Sequence, residues 1–182
     1  MTSREPLLSL DQLPVTAQSS QGDLGLERIT QRLVQVLERD TQVQTTLHHL
    51  RDTFQVDRVV LYYFYRRWKG QVTAEALRAP SFAILGSTGA DDCFTDEYAQ
   101  QYLEGRIRAI ADVTQADIHP CHLEFLRSIQ VQANLVAPVL VKQQLWGLLA
   151  IHDCQGPRPW SEADIAQLTA ASEALSASPA LT

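Results

Sequence analysis

Three segments of this chain are apolar on both faces of the strand that each would form. Residues 59–65 read Val-Val-Leu-Tyr-Tyr-Phe-Tyr, and residues 133–141 and 145–153 are similarly rich in Val, Leu, Ile and Ala. β-Branched and aromatic residues favour strands, and a strand without polar alternation must be covered on both faces. These segments therefore predict a central sheet with covered faces.

Turn residues arrange the strands as hairpins. A Lys-Gly step at 69–70 separates the segment 59–65 from a second predicted strand at 71–79. Pro80 ends that strand. The polar sequence Lys-Gln-Gln at 142–144 has the length of a hairpin turn between the last two strands. The sheet is therefore predicted to be mainly antiparallel.

Helical periodicity precedes and follows these strands. From Leu24 to Phe54, apolar residues recur at three- and four-residue steps, which predicts a long amphipathic helix with a break near Asp40. Ser161 and Asp164 form a capping box that begins a last helix. The other predicted elements are a helix at 95–103, a strand at 106–112 and a helix at 121–130.

This order of elements predicts an α+β domain around one mainly antiparallel sheet of five to six strands, with helices on both faces and long terminal helices. The domain is predicted at residues 24–178, between a flexible tail at 1–23 and a short tail at 179–182. The terminal helices carry more apolar surface than a single stripe requires. They are predicted either to pack on the sheet or to pair between two chains as a homodimer.

The charge balance restricts the class of partner. Among 182 residues, 15 Lys and Arg oppose 21 Asp and Glu, for a formal net charge of −6. Nucleic acids and anionic membranes select a basic surface, so neither is predicted as a partner. No apolar run reaches the roughly 18 residues of a membrane span, and the N-terminus lacks a signal-peptide pattern. The chain is therefore expected in the cytoplasm, with its three cysteines as thiols.

Cys121 has the local chemistry of a reactive thiol. Pro120 suits the first turn of a helix, which puts the thiol at a helix N-terminus, where backbone amides stabilise a thiolate. A flanking imidazole, from His119 or His122, can accept its proton. A buried structural cysteine is the alternative, and the local sequence leaves both open.

The other two cysteines have less favourable surroundings. Cys93 follows Asp91 and Asp92, whose charges disfavour a thiolate. This thiol would therefore add weakly and leave easily, or it is an ordinary loop cysteine. Cys154 ends the last predicted strand and is expected to pack.

Metal and hydrolase sites are not favoured by the spacing of His and Cys. His119, Cys121 and His122 fit no ordinary zinc pattern, so no metal ligand is predicted. Cys121 with His152 would make a hydrolase dyad, but no sequence typical of an oxyanion hole accompanies it. No catalytic residue is predicted either.

A set of motifs in a fixed order resembles one family. Cys93, within Asp-Asp-Cys-Phe, is followed 28 residues later by Cys121-His122. The later motifs are Ala-Asn-Leu-Val-Ala-Pro-Val at 133–139, Leu-Trp-Gly-Leu-Leu-Ala-Ile-His at 145–152 and Pro-Arg-Pro-Trp at 157–160. Over about residues 25–175 the sequence resembles the photosensory GAF domain of a cyanobacteriochrome, of the Asp-x-Cys-Phe type that uses two cysteines.

This resemblance implies a covalently bound linear tetrapyrrole, phycocyanobilin or phycoviolobilin. Cys121 would attach ring A of the bilin through a thioether. Cys93 would add reversibly to the central methine bridge and shorten the conjugated system, which gives a violet- or blue-absorbing state. Isomerisation between the 15Z and 15E forms would release Cys93 and give a green-to-orange-absorbing state.

The resemblance also implies chromophore-binding roles for four other residues. Asp91 would contact the pyrrole nitrogens, and His122 would lie against the chromophore. Arg106 would bind a propionate, unless it is a solvated surface arginine. His152 would lie near ring D, unless it is a satisfied core histidine.

The predicted function is a light sensor that controls an attached signalling output domain. Beyond attaching and isomerising its own bilin, the domain is predicted not to be an enzyme. Two alternatives are a GAF domain that binds a small ligand such as a cyclic nucleotide or serves in dimerisation, and a thiol redox sensor.

Overall fold

The computed structural model describes residues 20–89 and 94–181. Five α-helices lie in this part of the chain: α1 (Ser20–Arg39), α2 (Thr41–Phe54), α3 (Asp96–Leu103), α4 (Pro120–Ser128) and α5 (Glu162–Ser176). Its five strands are β1 (Arg58–Arg66), β2 (Lys69–Leu77), β3 (Arg108–Ile110), β4 (Ala133–Val141) and β5 (Gln144–Asp153). Short 3₁₀-helices include Pro80–Phe82 and Pro179–Leu181. None of the described helices is long and apolar enough to cross a membrane.

The five strands form one antiparallel sheet in the order β2-β1-β5-β4-β3. Both predicted hairpins, β1–β2 and β4–β5, are present, and β1 pairs with β5 at the centre of the sheet. The structure confirms the predicted α+β fold, with five strands. β3 is shorter than the strand predicted at 106–112, because only residues 108–110 pair with β4.

The two faces of the sheet bury different residues of the same strands. On β1, Val59 and Leu61 pack with the buried leucines of α2 and α5, whereas Val60 belongs to a separate cluster that includes Tyr102 of α3. Side chains alternate between the faces of a strand, so this division follows from the pleat. The prediction that apolar strands are covered on both faces is confirmed.

The helical layer on one face depends on a break between α1 and α2. Asp40 ends the continuous periodicity, because its side chain accepts a hydrogen bond from the backbone N–H of Val43 and caps α2. The cap redirects the chain so that Leu47 and Leu50 are buried against the sheet. The predicted break near Asp40 is therefore confirmed.

Two serines connect α5 to β4. The Ser172 hydroxyl donates to the carbonyl of Pro138 at 2.5 Å, and the backbone N–H of Leu140 donates to the Ser176 hydroxyl at 3.1 Å. Ser161 and Asp164 form the predicted capping box at the start of the same helix. The capping box thus stabilises the first turn of α5, and the two serines hold its later turns against β4.

The first hairpin turns earlier than predicted. Arg66 pairs with Lys69, so the turn consists of Arg67 and Trp68, and Gly70 lies within β2. A Cβ atom at Gly70 would lie 2.1 Å from the Tyr63 carbonyl oxygen. The glycine is therefore required for the close approach of two strands and not for the turn.

The predicted tails also differ from the structure. Helix α1 begins at Ser20, inside the predicted tail 1–23, and residues 1–19 lie outside the described part. At the other end, the 3₁₀-helix Pro179–Leu181 covers most of the tail predicted at 179–182, and Leu181 packs into the core. Apolar burial of Leu181 explains why the chain stays ordered there.

The predicted pairing of terminal helices between two chains stays a prediction. Ile29 and Val36, seven residues apart on α1, are 64% and 45% exposed. α5 packs on β4 and α2 instead. Of the two terminal helices, α1 is therefore the one that exposes large apolar side chains, as pairing between two chains would require.

Gly147→Ala is expected to destabilise the domain by about 3 kcal/mol, because a Cβ at this position would lie 1.9 Å from the Tyr62 carbonyl oxygen in the paired strand. The matched control is Gly156→Ala, where nothing lies within 4 Å of the added Cβ. This control is expected to change the free energy of unfolding by less than about 0.5 kcal/mol. Urea denaturation measures both, and equal effects would contradict the proposed backbone contact.

Candidate functional site

A cavity of about 370 Å³ lies on the face of the sheet opposite α2 and α5. Its floor is formed by β1, β4 and β5, and its sides by α3, α4 and the segment after β2. The apolar lining includes Val60, Ile84, Leu126, Val136, Leu148 and Ala150. A pocket of this size with apolar walls and few polar groups is typical of a small-molecule or cofactor site.

Aromatic side chains form one wall of the cavity. Phe94 stacks on Tyr102, with ring centroids 6.0 Å apart and planes 8° apart, and it also contacts Phe64 and Trp68. The indole N–H of Trp68 donates to Asp96, at the start of α3, which attaches the first hairpin to this wall.

The aromatic residues of β1 divide between the two faces of the sheet. Tyr62 and Phe64 line the cavity, whereas Tyr63 packs against Trp146, with ring centroids 4.7 Å apart. The hydroxyl of Tyr62 accepts a hydrogen bond from the backbone N–H of Gly89 at 3.0 Å. β1 therefore supplies aromatic side chains both to the cavity wall and to the opposite face of the sheet.

Three of the predicted chromophore-binding residues line the cavity: Arg106, His122 and His152. They come from the loop after α3, from α4 and from β5, so the fold brings together residues far apart in sequence. Asp91 and Cys93 lie outside the described residues, so their predicted roles stay predictions.

Several polar residues of the cavity were not predicted from the sequence. Arg108, Asp117 and Asn134 also line it. Asn134 is polar within an otherwise apolar strand, which is a signal that a search for buried polar residues would have found. Arg108 begins the three-residue strand β3 and Asp117 lies in the loop before α4, and neither segment is long enough or regular enough for a periodicity to show which side chains face inward.

His152 is held by a buried arginine. Arg58 Nε donates to His152 Nδ1 at 3.0 Å, and the two residues are 1% and 5% exposed. A guanidinium only donates, so His152 Nδ1 must carry a lone pair and the ring proton must be on Nε2. Burial, the Arg58 charge and nearby His122 all hold the pKa of His152 well below its ordinary value. His152 is therefore a neutral imidazole with a defined tautomer.

The other two nitrogens of the Arg58 guanidinium also make hydrogen bonds. Nη1 donates to the Phe82 carbonyl at 2.7 Å, and Nη2 donates to the Ile129 carbonyl at 2.8 Å. Arg58 thereby connects β1 with β5, with the 3₁₀-helix after β2 and with the end of α4. Nothing in the sequence distinguishes this residue, since a charged residue at the start of a strand is ordinarily exposed.

Cys121 occupies the first turn of α4, as predicted. Pro120 is at the first helical position, and His119 Nδ1 accepts a hydrogen bond from the backbone N–H of Cys121 at 3.3 Å. His119 thus caps the helix, so its Nδ1 does not accept the thiol proton. Burial and the charge of Arg108 lower the pKa of His122, which makes this imidazole a weaker base than the sequence suggested.

The expectation that all three cysteines are thiols is wrong for Cys121. Cys121 is disulfide-bonded in the structure, and Cys154 is free. Cys154 is half-buried, and burial raises the pKa of its thiol to about 11. The backbone N–H of Cys154 donates to Asp57 at 2.8 Å, so this residue is part of the packed strand end, as predicted.

The chain belongs to the GAF domain family, whose model matches residues 38–178. Among curated proteins, it is 55% identical over 130 residues to an uncharacterized protein of Picosynechococcus, covering 71% of this chain and 80% of that protein. It is also 36% identical over 132 residues to the circadian input-output histidine kinase CikA of Synechocystis, covering 60% of this chain and 18% of the kinase. The chain thus spans most of the first relative and less than a fifth of the second.

Solved GAF domains of photoreceptors have the same fold. The blue-light-absorbing form of the PixJ GAF domain from Thermosynechococcus elongatus superposes with a TM-score of 0.69 at 32% identity, covering 84% of this chain and 86% of that one. A phycoerythrobilin-bound GAF domain from a cyanobacterial phytochrome matches with a TM-score of 0.67 at 26% identity, covering 87% and 94%. These matches confirm the GAF fold of this chain.

Acid is expected to destabilise the pigment-free protein through His152. Because its pKa is lowered on folding, the unfolded state binds more protons below about pH 6.5, so stability is complete above that pH and is lost as the pH falls. The contribution of this residue is at most about 1.4 kcal/mol per pH unit. Urea denaturation at about pH 7.5, 6.5 and 5.5 measures it.

The control for this measurement is His152→Gln, which keeps an acceptor for Arg58 and does not titrate. Its free energy of unfolding is expected to depend less steeply on pH over the same interval. Since His122 also has a lowered pKa, some slope remains in the variant. Identical slopes in the two proteins would contradict a neutral, buried His152.

Proposed function

We propose that this chain is a photosensory GAF domain that binds a linear tetrapyrrole in the cavity beneath α3 and α4. The observation that carries the proposal is the position of Cys121 at the start of α4, between His119 and His122, which both line the cavity. A covalently attached ligand would therefore enter directly from the cysteine into an apolar, aromatic pocket. The similarity to the PixJ and phytochrome GAF domains supports the same ligand class.

Attachment is proposed to occur through the Cys121 thiol. The S–H group adds across a carbon–carbon double bond at ring A: sulfur bonds to one carbon, the proton goes to its neighbour, and no oxidant or reductant is consumed. The step requires the reduced thiol, so the disulfide at Cys121 must first be opened by a thiol reductant. The helix N-terminus favours the thiolate, which is the reacting form.

The polar groups of the cavity fit the chemistry of a bilin. Such a pigment carries carboxylates, for which the guanidinium groups of Arg106 and Arg108 at one side of the cavity provide partners. His122 stacks on Phe125, with ring centroids 6.3 Å apart and ring planes inclined by 30°. Its ring lines the cavity and is largely desolvated. Asp91 is proposed as the partner of the pyrrole nitrogens.

The colour change is proposed to depend on Cys93. Its thiol would add reversibly to the central methine bridge of phycocyanobilin or phycoviolobilin: sulfur bonds to the methine carbon, and the proton goes to the imine nitrogen of an adjoining ring. This addition would divide the conjugated system and give a violet- or blue-absorbing state. The 15Z/15E isomerisation would release this bond and restore the longer conjugation, with green-to-orange absorption.

The domain is proposed to act as a cytoplasmic sensor that controls a signalling output domain, and not as an enzyme beyond attaching and isomerising its own pigment. The similarity to a segment of the histidine kinase CikA supports such an arrangement. In that case, a change in the cavity must reach the ends of the domain through its helices.

The Cys121→Ala variant is expected to lose covalent pigment when it is produced in cells that make bilins. Zinc-induced fluorescence of the denatured protein on a gel should fall to background, because the thioether is absent. Cys154→Ala is the matched control, since Cys154 is half-buried and outside the cavity lining, and it should retain full fluorescence. Wild-type fluorescence in Cys121→Ala would show that another residue carries the pigment.

Cys93→Ala is expected to keep covalent pigment but to lose the violet- or blue-absorbing state, because the second linkage cannot form. Absorption spectra before and after blue illumination measure this, with the zinc fluorescence of the same sample as the control for attachment. Persistence of the blue-absorbing state in the variant would exclude Cys93 as the second linkage.

A thiol redox sensor is a second candidate, and the disulfide at Cys121 is the observation that favours it. In that function, peroxide would convert two thiols to a disulfide and water, and pigment would not be required. The zinc-fluorescence gel distinguishes the two functions. Reduced wild-type protein that stays colourless with a bilin supply, but changes conformation with peroxide, would favour the redox sensor.

A further inference from the structure

One polar group in the cavity has no partner. Asn134 of β4 is 4% exposed, and its side-chain oxygen is buried without a hydrogen bond among the described residues. Buried polar groups in proteins are almost always hydrogen-bonded, so a lone acceptor that faces a cavity points to a donor supplied by a ligand. The cavity is otherwise largely apolar, so a ligand that fills it must place its donor group next to Asn134.

The neighbour of Asn134 across the sheet is His152. The two residues are paired in the register of β4 and β5, and both side chains line the cavity. Since Arg58 occupies Nδ1 of His152, the ring offers the proton on Nε2 as a donor. The two strands thus present a carboxamide and an N–H donor side by side.

We propose that Asn134 is a ligand-binding residue that recognises a lactam. The ring of a lactam holds its N–H and C=O on the same side, so a carboxamide pairs with both at once: Asn134 Oδ1 accepts from the lactam N–H, and its NH₂ group donates to the lactam C=O. The second lone pair of that C=O is available to the Nε2–H of His152. A secondary amide in the ordinary trans form cannot make the paired contact.

This inference rests on the proposed function and makes it more specific. A linear tetrapyrrole ends in two lactam rings, and the thioether to Cys121 would hold one of them near α4. Asn134 would then bind the lactam at the untethered end. A carboxylate is a poorer occupant, because it has no donor for Asn134 Oδ1, whereas Arg106 and Arg108 line the same cavity.

The first test uses the pigment-loaded protein. Isotope-edited infrared spectroscopy of the lactam carbonyl should show a shift to higher wavenumber in Asn134→Leu, because the carbonyl loses a donor, while zinc fluorescence shows that attachment is unchanged. Thr88→Val is the matched control, since Thr88 also lines the cavity and carries a polar group. An unshifted carbonyl in attached Asn134→Leu would overturn the proposal.

The second test needs no pigment, so it separates this inference from the proposed function. NMR titration of the reduced protein with 2-pyrrolidinone, following the backbone amides of residues that line the cavity, measures binding of a lactam alone in wild-type protein and in the variant. N-Methyl-2-pyrrolidinone lacks the N–H and is expected to bind about tenfold more weakly, as expected for loss of one buried hydrogen bond. Asn134→Leu should remove this difference. Equal binding of the two probes to wild-type protein, or no binding by either, would overturn the proposal.

If wild-type protein never acquires pigment but distinguishes the two probes, the proposed function fails and the lactam site remains. If pigment attaches through Cys121 but neither test involves Asn134, the proposed function stands and this inference fails.

Discussion

The guanidinium of Arg58 is the contact on which the geometry of the cavity depends. It is 1% exposed and donates to three acceptors in three separate parts of the chain: the imidazole of His152, the carbonyl of Phe82 and the carbonyl of Ile129. Burying a charge is costly unless every donor finds an acceptor, so the three contacts are mutually dependent. Loss of any one of these hydrogen bonds would leave part of a buried charge unpaired. It would thereby weaken the attachment of β5, of the 3₁₀-helix after β2 and of the end of α4 to one another.

The sheet has one face that is filled and one that is not. α2 and α5 bury their leucines on the first face, where the main core lies, and this face supplies the rigidity. On the second face, α3 and α4 do not close over the strands, and a cavity of about 370 Å³ remains. Apolar strands on both faces were therefore the correct signal for two covering layers, but they did not show that a cavity lies under the second layer.

The sequence predicted well where a single period or cap determines the structure. The strands at 133–141 and 145–153, the break near Asp40 and the capping box at Ser161 all agree with the structure. Gly70 was misinterpreted because glycine serves both turns and close approaches, and only the packing of Tyr62 and Tyr63 distinguishes these uses.

The sequence predicted those site residues to which the family resemblance assigns a role, and it missed those whose role is visible only in the folded structure. Arg106, His122 and His152 line the cavity as the family resemblance implied. Arg58 belongs to no motif, and its importance follows from its burial and its hydrogen bonds. Asn134 lies in the motif at 133–139, but the resemblance implied no role for it, and its importance follows from its buried, unpaired side-chain oxygen.

The serine contacts between α5 and β4 have a mechanical consequence. The strand that carries Asn134 at its beginning is tied near its end to the helix that runs toward the C-terminus, through Ser172 and Ser176. Sliding β4 by even one ångström must either drag that helix along or rupture both links. β4, which forms part of the cavity floor, and α5 are therefore expected to move together as one rigid unit.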